Sequence, residues 1–159
     1  MDWKKVAKAA LFPIAISVLL FLLINYTSFL SPNSFGFASI VLLLAFVMIV
    51  NFVYVGYQSV NSCKFDLKGA ALVGAVFGFA TTMAGVIIAL VLVASGRLPA
   101  MPFGAGMGEQ VIDDRVRDIM LVLIPIFGFV GAVFNAAFVG LLSVLGGVMA
   151  QRRKKAKQG

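Results

Sequence analysis

Four long apolar stretches, at about 6–28, 37–59, 69–95 and 119–150, constrain this chain more than any other feature of its sequence. About 20 consecutive apolar residues are enough for an α-helix to cross the roughly 30 Å hydrocarbon core of a bilayer. Because no water reaches the backbone there, each stretch must satisfy its own N–H and C=O groups, as a helix does. We therefore predict an all-α protein, a polytopic transmembrane four-helix bundle with antiparallel neighbours.

The amino-acid composition favours lipid as the solvent of these stretches. The chain has 159 residues, of which 62% are hydrophobic and only 12% are charged. An ordinary soluble domain has about 25% charged residues. A chain of this length provides material for one domain, which is too little to hide so much apolar surface from water. We expect residues 1–159 to form a single integral membrane domain, with membrane lipid as a partner.

The basic residues lie in the segments between the apolar stretches, and their distribution predicts the orientation. If the N-terminus faces the cytoplasm, the inner segments carry ten of the thirteen basic residues, namely Lys4, Lys5, Lys8, Lys64, Lys68, Arg152, Arg153, Lys154, Lys155 and Lys157. The outer segments carry Arg97, Arg115 and Arg117 together with the acidic residues Glu109, Asp113, Asp114 and Asp118. By the positive-inside rule, both termini are cytoplasmic (N-in/C-in) in a multi-pass cell (plasma) membrane protein.

This orientation defines an extracytoplasmic loop at 96–117 and a basic cytoplasmic tail at 151–159. The second half of the loop carries Asp113, Asp114 and Arg117 at spacings that pair charges on a helix, so we expect a short amphipathic helix there. Its acids are oxygen ligands of the kind that calcium or magnesium prefers, but the arginines offset their charge and the spacing is not that of an EF-hand. We predict a solvated helix rather than a metal site.

Several chemistries are excluded by the residues that the sequence lacks. Histidine is absent and Cys63 is the single cysteine, which leaves no intrachain disulfide, redox pair or histidine-ligated metal. Beyond Lys8 at the edge of the first, the predicted spans contain no charged residue, although such residues mark proton relays and voltage sensors. The net charge of +7 follows membrane topology, so we expect no nucleic acid as a partner. We predict a protein that is not an enzyme and that holds no cofactor.

Small residues recur every four positions in two of the predicted spans. They are Ala70, Gly74, Gly78 and Thr82 in the third span, and Gly128, Ala132, Ala136 and Gly140 in the fourth. Lipid provides no hydrophobic drive for helix association, so helices in a membrane associate where small side chains permit close approach. We predict that these two faces are helix-packing surfaces, either within one chain or between copies in a homo-oligomer.

A few polar residues fall near the predicted midplane of the bilayer. Thr81, Thr82 and Asn135 lie at this depth when residues are counted from the charged ends of their spans. An amide in hydrocarbon needs hydrogen-bond partners, and Thr81, Thr82 and Asn51 are the candidates for Asn135. Two interpretations follow: a bond that joins helices, or a site for a small neutral solute.

These patterns favour a non-enzymatic membrane protein that acts as a scaffold, as a subunit of a larger membrane complex, or as a self-associating bundle. The alternative is a passive channel or facilitator for a small solute, formed by oligomerisation and lined by backbone and hydroxyl groups.

Overall fold

The structure of the protein, a computed structural model, describes residues 3–27, 35–96 and 113–156. They form four α-helices: α1 (Trp3–Thr27), α2 (Phe35–Asn61), α3 (Leu67–Ala94) and α4 (Asp114–Ala156). No β-strand occurs among these residues. The prediction of an all-helical chain with four helices is therefore confirmed for the part of the chain that the structure describes.

Three of the helices are long and apolar enough to cross a membrane. The apolar segments are Leu42–Asn61 in α2, Leu67–Ala94 in α3 and Asp114–Ala156 in α4, whereas α1 contains the shorter apolar segment Ala10–Leu20. This finding rests on the described residues, and it is one of length and composition. Most of the predicted outer loop lies outside them, because residues 97–112 are not described.

A short link joins α2 to α3, and side chains near it begin the third helix. Asp66 is the N-cap of α3, and its carboxylate accepts a 2.7 Å hydrogen bond from the backbone N–H of Gly69. An acidic cap satisfies one of the free donors at a helix start and complements the helix dipole. Lys64 has a positive φ of 59°, which turns the chain sharply between the two helices. α2 and α3 are therefore neighbours that run in opposite directions.

α4 is a single helix of 43 residues, longer than a bilayer core requires. At 1.5 Å per residue it measures about 65 Å, against a core of about 30 Å. A kink is expected at Pro125, and the helix continues on both sides of this residue. Its first turn contains Asp114, whose carboxylate pairs with Arg117 at 3.0 Å, and its last turn contains three basic residues. Charges of these signs at these ends stabilise a helix dipole.

α4 packs on both α3 and α2. It runs antiparallel to α3, because Gly78 faces Asn135 while Gly74 faces Val139 and Ser143. It runs parallel to α2, which it contacts along the second half of both helices. α1 packs on α2 and α3, and in the described part of the chain it has no Cα atom within 8 Å of α4.

The core of the bundle lies where α2, α3 and α4 meet. Its largest fully buried side chains include Phe77, Val55, Val73 and Val139. The rings of Phe52 and Phe77 pack edge to face with their centroids 5.8 Å apart, an arrangement that aromatic pairs prefer. This core joins the three helices along their facing sides and leaves most of the other side chains of α4 exposed.

The start of α1, the link between α2 and α3, and the end of α4 lie at the same end of the bundle. The Cys63 thiol contacts the backbone oxygen of Lys5 at 3.4 Å, which joins the link to α1. The Lys154 ammonium donates to the backbone oxygen of Val60 at 2.9 Å, which joins α4 to the end of α2. Most of the basic residues assigned to the inner segments are thereby gathered at one end. We call it the basic end.

Candidate functional site: helix contacts and polar side chains

The contact between α3 and α4 is built on glycine. A Cβ atom at Gly78 would lie 2.9 Å from the backbone oxygen of Asn135, and one at Gly140 would lie 3.2 Å from the backbone oxygen of Ala71. A Cβ at Gly74 would overlap the side chain of Ser143. The two backbones therefore approach as closely as they do because these residues have no side chain.

The other members of the predicted packing faces lie in or beside this contact. Ala70 and Ala132 are fully buried. The side chain of Val86 occupies the space where a Cβ atom at Gly128 would lie. Ala136 and Thr82 are half-buried. Gly74, Gly78, Gly128 and Gly140 of the two predicted faces therefore lie at the contact between α3 and α4 of the same chain.

A second close contact, between α2 and α4, was not predicted from the sequence. A Cβ atom at Gly56 would overlap the backbone of Ser143, and one at Gly146 would overlap the backbone oxygen of Val53. The Ser143 hydroxyl is buried and donates to the backbone oxygen of Phe52 at 3.2 Å. The available signal was the spacing of Ser143 and Gly146, which places two small residues on one helix face at an interval of three residues.

Asn135 joins α4 to α3 through its amide. Its Nδ2 donates to the Thr82 hydroxyl at 2.8 Å and to the backbone oxygen of Gly78 at 3.0 Å. The Thr82 hydroxyl in turn donates to the same backbone oxygen at 3.0 Å. The Thr81 hydroxyl donates within its own helix, to the backbone oxygens of Phe77 and Gly78, at 3.0 and 3.1 Å. The structure therefore brings Thr82 to Asn135, while Thr81 bonds only within α3.

Asn51 lies in a different place and joins α2 to α1. Its Nδ2 donates to the Ser17 hydroxyl and to the backbone oxygen of Pro13, both at 3.0 Å. Asn51 and Ser17 are both buried. The two asparagines thus serve two helix pairs, and Asn51 is not among the bonded partners of Asn135.

An open cavity of about 500 Å³ is lined by Asn135 and by residues of all four helices, mostly of α3 and α4. Its polar lining residues are Ser17, Thr81, Thr82 and Asn135. The remaining lining residues are apolar, namely Met48, Gly85, Val86, Ala89, Ile124, Phe127 and Gly128. No charged residue lines it, so its chemistry suits an apolar or weakly polar neutral molecule.

Within the described ranges, the acidic residues and the cysteine do not form a cluster that could hold a metal ion. No group of three or more Cys, Asp or Glu residues is close enough to hold a metal ion. Asp113 and Asp114 are exposed, and Asp114 is paired with Arg117; Glu109 lies outside the described residues. Every buried side-chain nitrogen and oxygen atom in these ranges has a hydrogen-bond partner.

We compared the chain with protein-family models, with curated proteins and with solved structures, and none of them matches it.

Proposed function

We propose that this chain is a non-enzymatic integral membrane protein that acts as a scaffold or subunit through contacts of its helices. The observation that carries this proposal is the use of the interior polar groups. In the described part of the chain, each buried polar side chain is hydrogen-bonded, and the amides of Asn51 and Asn135 each bridge two helices. Groups used in this way hold the bundle together and are not free for chemistry.

In the proposed topology, the chain crosses the plasma membrane four times and both termini lie in the cytoplasm. The support for this topology is the gathering of basic residues at one end of the bundle, where Lys64, Lys68 and the α4 basic residues lie with the start of α1. Cytoplasmic flanks of membrane helices carry an excess of such residues. The acidic residues Asp113 and Asp114 lie at the opposite end of α4.

The proposed contact surface is the outer face of α4. Phe127, Phe134, Phe138 and Leu141 are all more than half exposed on this helix. Gly131 lies among them, and a Cβ atom at this glycine would meet nothing within 4 Å. A small residue within an exposed apolar face permits the close approach of another membrane helix. The face therefore suits a second copy of the chain or a helix of a larger complex.

The mass of the complex extracted in a mild detergent tests this function. We expect the chain to migrate as a homo-oligomer or with a co-purifying membrane protein, and Gly131→Leu to reduce that association. Val133→Leu on the same helix is the control, because Val133 is also exposed but lies roughly 160° around the helix from Gly131 at 3.6 residues per turn. A chain that stays monomeric and alone at every detergent concentration would contradict the proposal.

Cysteine labelling tests the topology. Native Cys63 is buried, so its failure to react would not distinguish the two sides of the membrane. We therefore place single cysteines at the exposed residues Ser62 and Asp113 in a Cys63→Ala chain. An impermeant thiol reagent added to intact cells should label the cysteine at Asp113 and leave that at Ser62 unlabelled. The reverse pattern would overturn the proposed orientation.

A second function, a passive facilitator for a small neutral solute, is supported by the 500 Å³ cavity beside Thr81, Thr82 and Asn135. In this case the cavity would become part of a path through an oligomer. Flux of small neutral solutes into liposomes that contain the purified protein separates the two functions, because a scaffold conducts none.

A further inference from the structure

A small polar pocket lies at the basic end, between the end of α2 and the end of α4. It has a volume of about 210 Å³ and is lined by Tyr57, Asn61, Ala150, Arg153 and Lys154. Two of these residues are cations, two are neutral hydrogen-bonding residues, and none is acidic. We propose that this pocket binds a phosphate group, of the kind that an anionic phospholipid headgroup carries.

Contacts with α2 hold both cations at the pocket. The Nη1 atom of Arg153 donates to the Tyr57 hydroxyl at 2.9 Å, and the Nζ atom of Lys154 donates to the backbone oxygen of Val60 at 2.9 Å. A guanidinium group has five donors and an ammonium group has three, so each keeps donors for a ligand. Because these contacts already order the two long side chains, the side chains lose less conformational entropy when a ligand binds.

The positive charge of the pocket is not neutralised by the described acids. Arg153 and Lys154 form no ion pair with a carboxylate in the described ranges, where the acidic partner of Arg117 is Asp114 at the far end of α4. The carboxyl end of α2 contributes a partial negative charge, which the contact of Lys154 with Val60 offsets. Lys64 and Lys68 lie at the same end, together with the acidic residue Asp66, whose carboxylate caps α3.

In the proposed membrane topology, on which this inference rests, the pocket lies at the depth of the lipid phosphates. Asn61 ends the apolar segment of α2, and Ala150 is the last apolar residue of α4 before Gln151 and the basic residues. In a membrane-spanning arrangement, both positions fall at the boundary between hydrocarbon and headgroups. Basic pockets between transmembrane helices on the cytoplasmic side recognise anionic headgroups.

The chemistry of the lining suits phosphate. Arginine binds a phosphate group through two parallel N–H···O bonds, and lysine adds a compact positive charge. The Asn61 amide and the Tyr57 hydroxyl provide neutral hydrogen bonds to the remaining oxygens. This arrangement fits a group with several charged oxygen atoms better than it fits a neutral headgroup.

Two double variants of equal charge test the site. Arg153→Gln with Lys154→Gln removes both pocket cations, whereas Arg152→Gln with Lys155→Gln removes two exposed cations from the same part of the helix that do not line the pocket. The measurement is lipid retention by native mass spectrometry of the full chain in detergent, with phosphatidic acid, phosphatidylglycerol and phosphatidylcholine added separately. We expect the pocket variant to bind the anionic lipids about tenfold more weakly than the control variant.

The source of the phosphate is distinguished in a second arm. Inorganic phosphate is titrated against chloride at equal ionic strength, and the melting temperature of each variant is measured. If inorganic phosphate stabilises the unaltered chain but not the pocket variant, the site binds free phosphate as well as lipid. If only anionic lipid has an effect, the site binds the lipid headgroup. Equal weakening of both double variants would overturn the proposal, because the attraction would then be diffuse. Equal retention of phosphatidylcholine and phosphatidic acid by the unaltered chain would overturn it without any variant.

Discussion

The α1–α2 pair and the α3–α4 pair are joined by the same kind of amide contact in different settings. In each pair, an asparagine Nδ2 donates to a backbone oxygen and to the hydroxyl four residues later on the neighbouring helix. Asn51 bonds Pro13 and Ser17 in the first pair, and Asn135 bonds Gly78 and Thr82 in the second. α1 contains no glycine, whereas the α3 backbone approaches α4 at Gly74 and Gly78.

This difference shows that hydrogen bonding between helices and close approach of their backbones are separate roles. An amide can bridge two helices without a glycine at the contact, as Asn51 does. The glycines of α3 are needed for a different purpose, which is to let the backbone of α3 approach Asn135, Val139 and Ser143 of α4. The loss of a glycine should therefore cost more stability than the loss of an amide.

The largest effect is expected from Gly78→Leu. A side chain at this position has to displace the backbone of Asn135 and the side chain of Val139, which should lower the free energy of unfolding by about 3 kcal/mol. Unfolding by sodium dodecyl sulfate in mixed micelles measures it. Ala45→Leu is the control, because it also places a leucine in a helix, at an exposed residue of α2 outside the α3–α4 contact and the outer face of α4, and the variant should unfold like the unaltered chain. If both variants lose the same stability, close approach at Gly78 is not what holds α3 to α4.

A smaller effect is expected when the two amides are removed in turn. Asn51→Ala should cost about 1–2 kcal/mol, since Asn51 and Ser17 are buried and the hydroxyl loses its partner. Asn135→Ala should cost about 0.6 kcal/mol, the average for a hydrogen bond between membrane helices, because Asn135 is half-buried beside an open cavity. The same unfolding assay compares them. A larger loss for Asn135→Ala would reverse the ranking of the two contacts.

The same Asn135→Ala variant sharpens the comparison on the side of function. If the amide only joins helices, solute flux through liposomes should be absent from both the unaltered chain and the variant. Asn51→Ala serves as the control, because Asn51 does not line the cavity. A flux that is present in the unaltered chain, retained in Asn51→Ala and absent from a stable Asn135→Ala would favour the facilitator over the scaffold.

The smallest effect is expected from the adjacent threonines. Thr82→Val removes the hydroxyl that accepts from Asn135 and should cost about 0.5 kcal/mol. Thr81→Val is the same substitution at the neighbouring residue, and it removes a hydroxyl that bonds only within α3. The melting temperature of this variant should therefore equal that of the unaltered chain within experimental error. Thermal unfolding of the two variants, monitored by circular dichroism, provides the comparison. Equal losses would mean that the bond between Thr82 and Asn135 adds nothing to stability.

The candidate residues could be identified from the sequence, but their pairing could not. Counting at 1.5 Å per residue places Asn51, Thr82 and Asn135 along the axes of their helices. It does not give the rotation of each helix, and rotation decides which side chains meet. For this reason Asn51 was a candidate partner of Asn135, whereas the structure pairs it with Ser17.

The contact between α2 and α4 shows a second limit. Helices that follow each other along the chain are expected to pack as antiparallel neighbours, and the periodic small residues of α3 and α4 indicated that pair. The parallel contact at Gly56 depends on where α4 lies after it has packed on α3. The two glycines of α2, Gly36 and Gly56, are twenty positions apart and provide no periodic signal for it.

The sequence by itself determined the helical class and the number of helices, because apolar length and residue content act locally along the chain. The tertiary structure alone decided which amide meets which hydroxyl, that α4 packs on α2 through Gly56 and Gly146, and that Arg153 and Lys154 border one pocket with Tyr57. These features depend on the distance and rotation between helices. Both are set by the joint packing of all the side chains at each contact, and no segment of the chain specifies them alone.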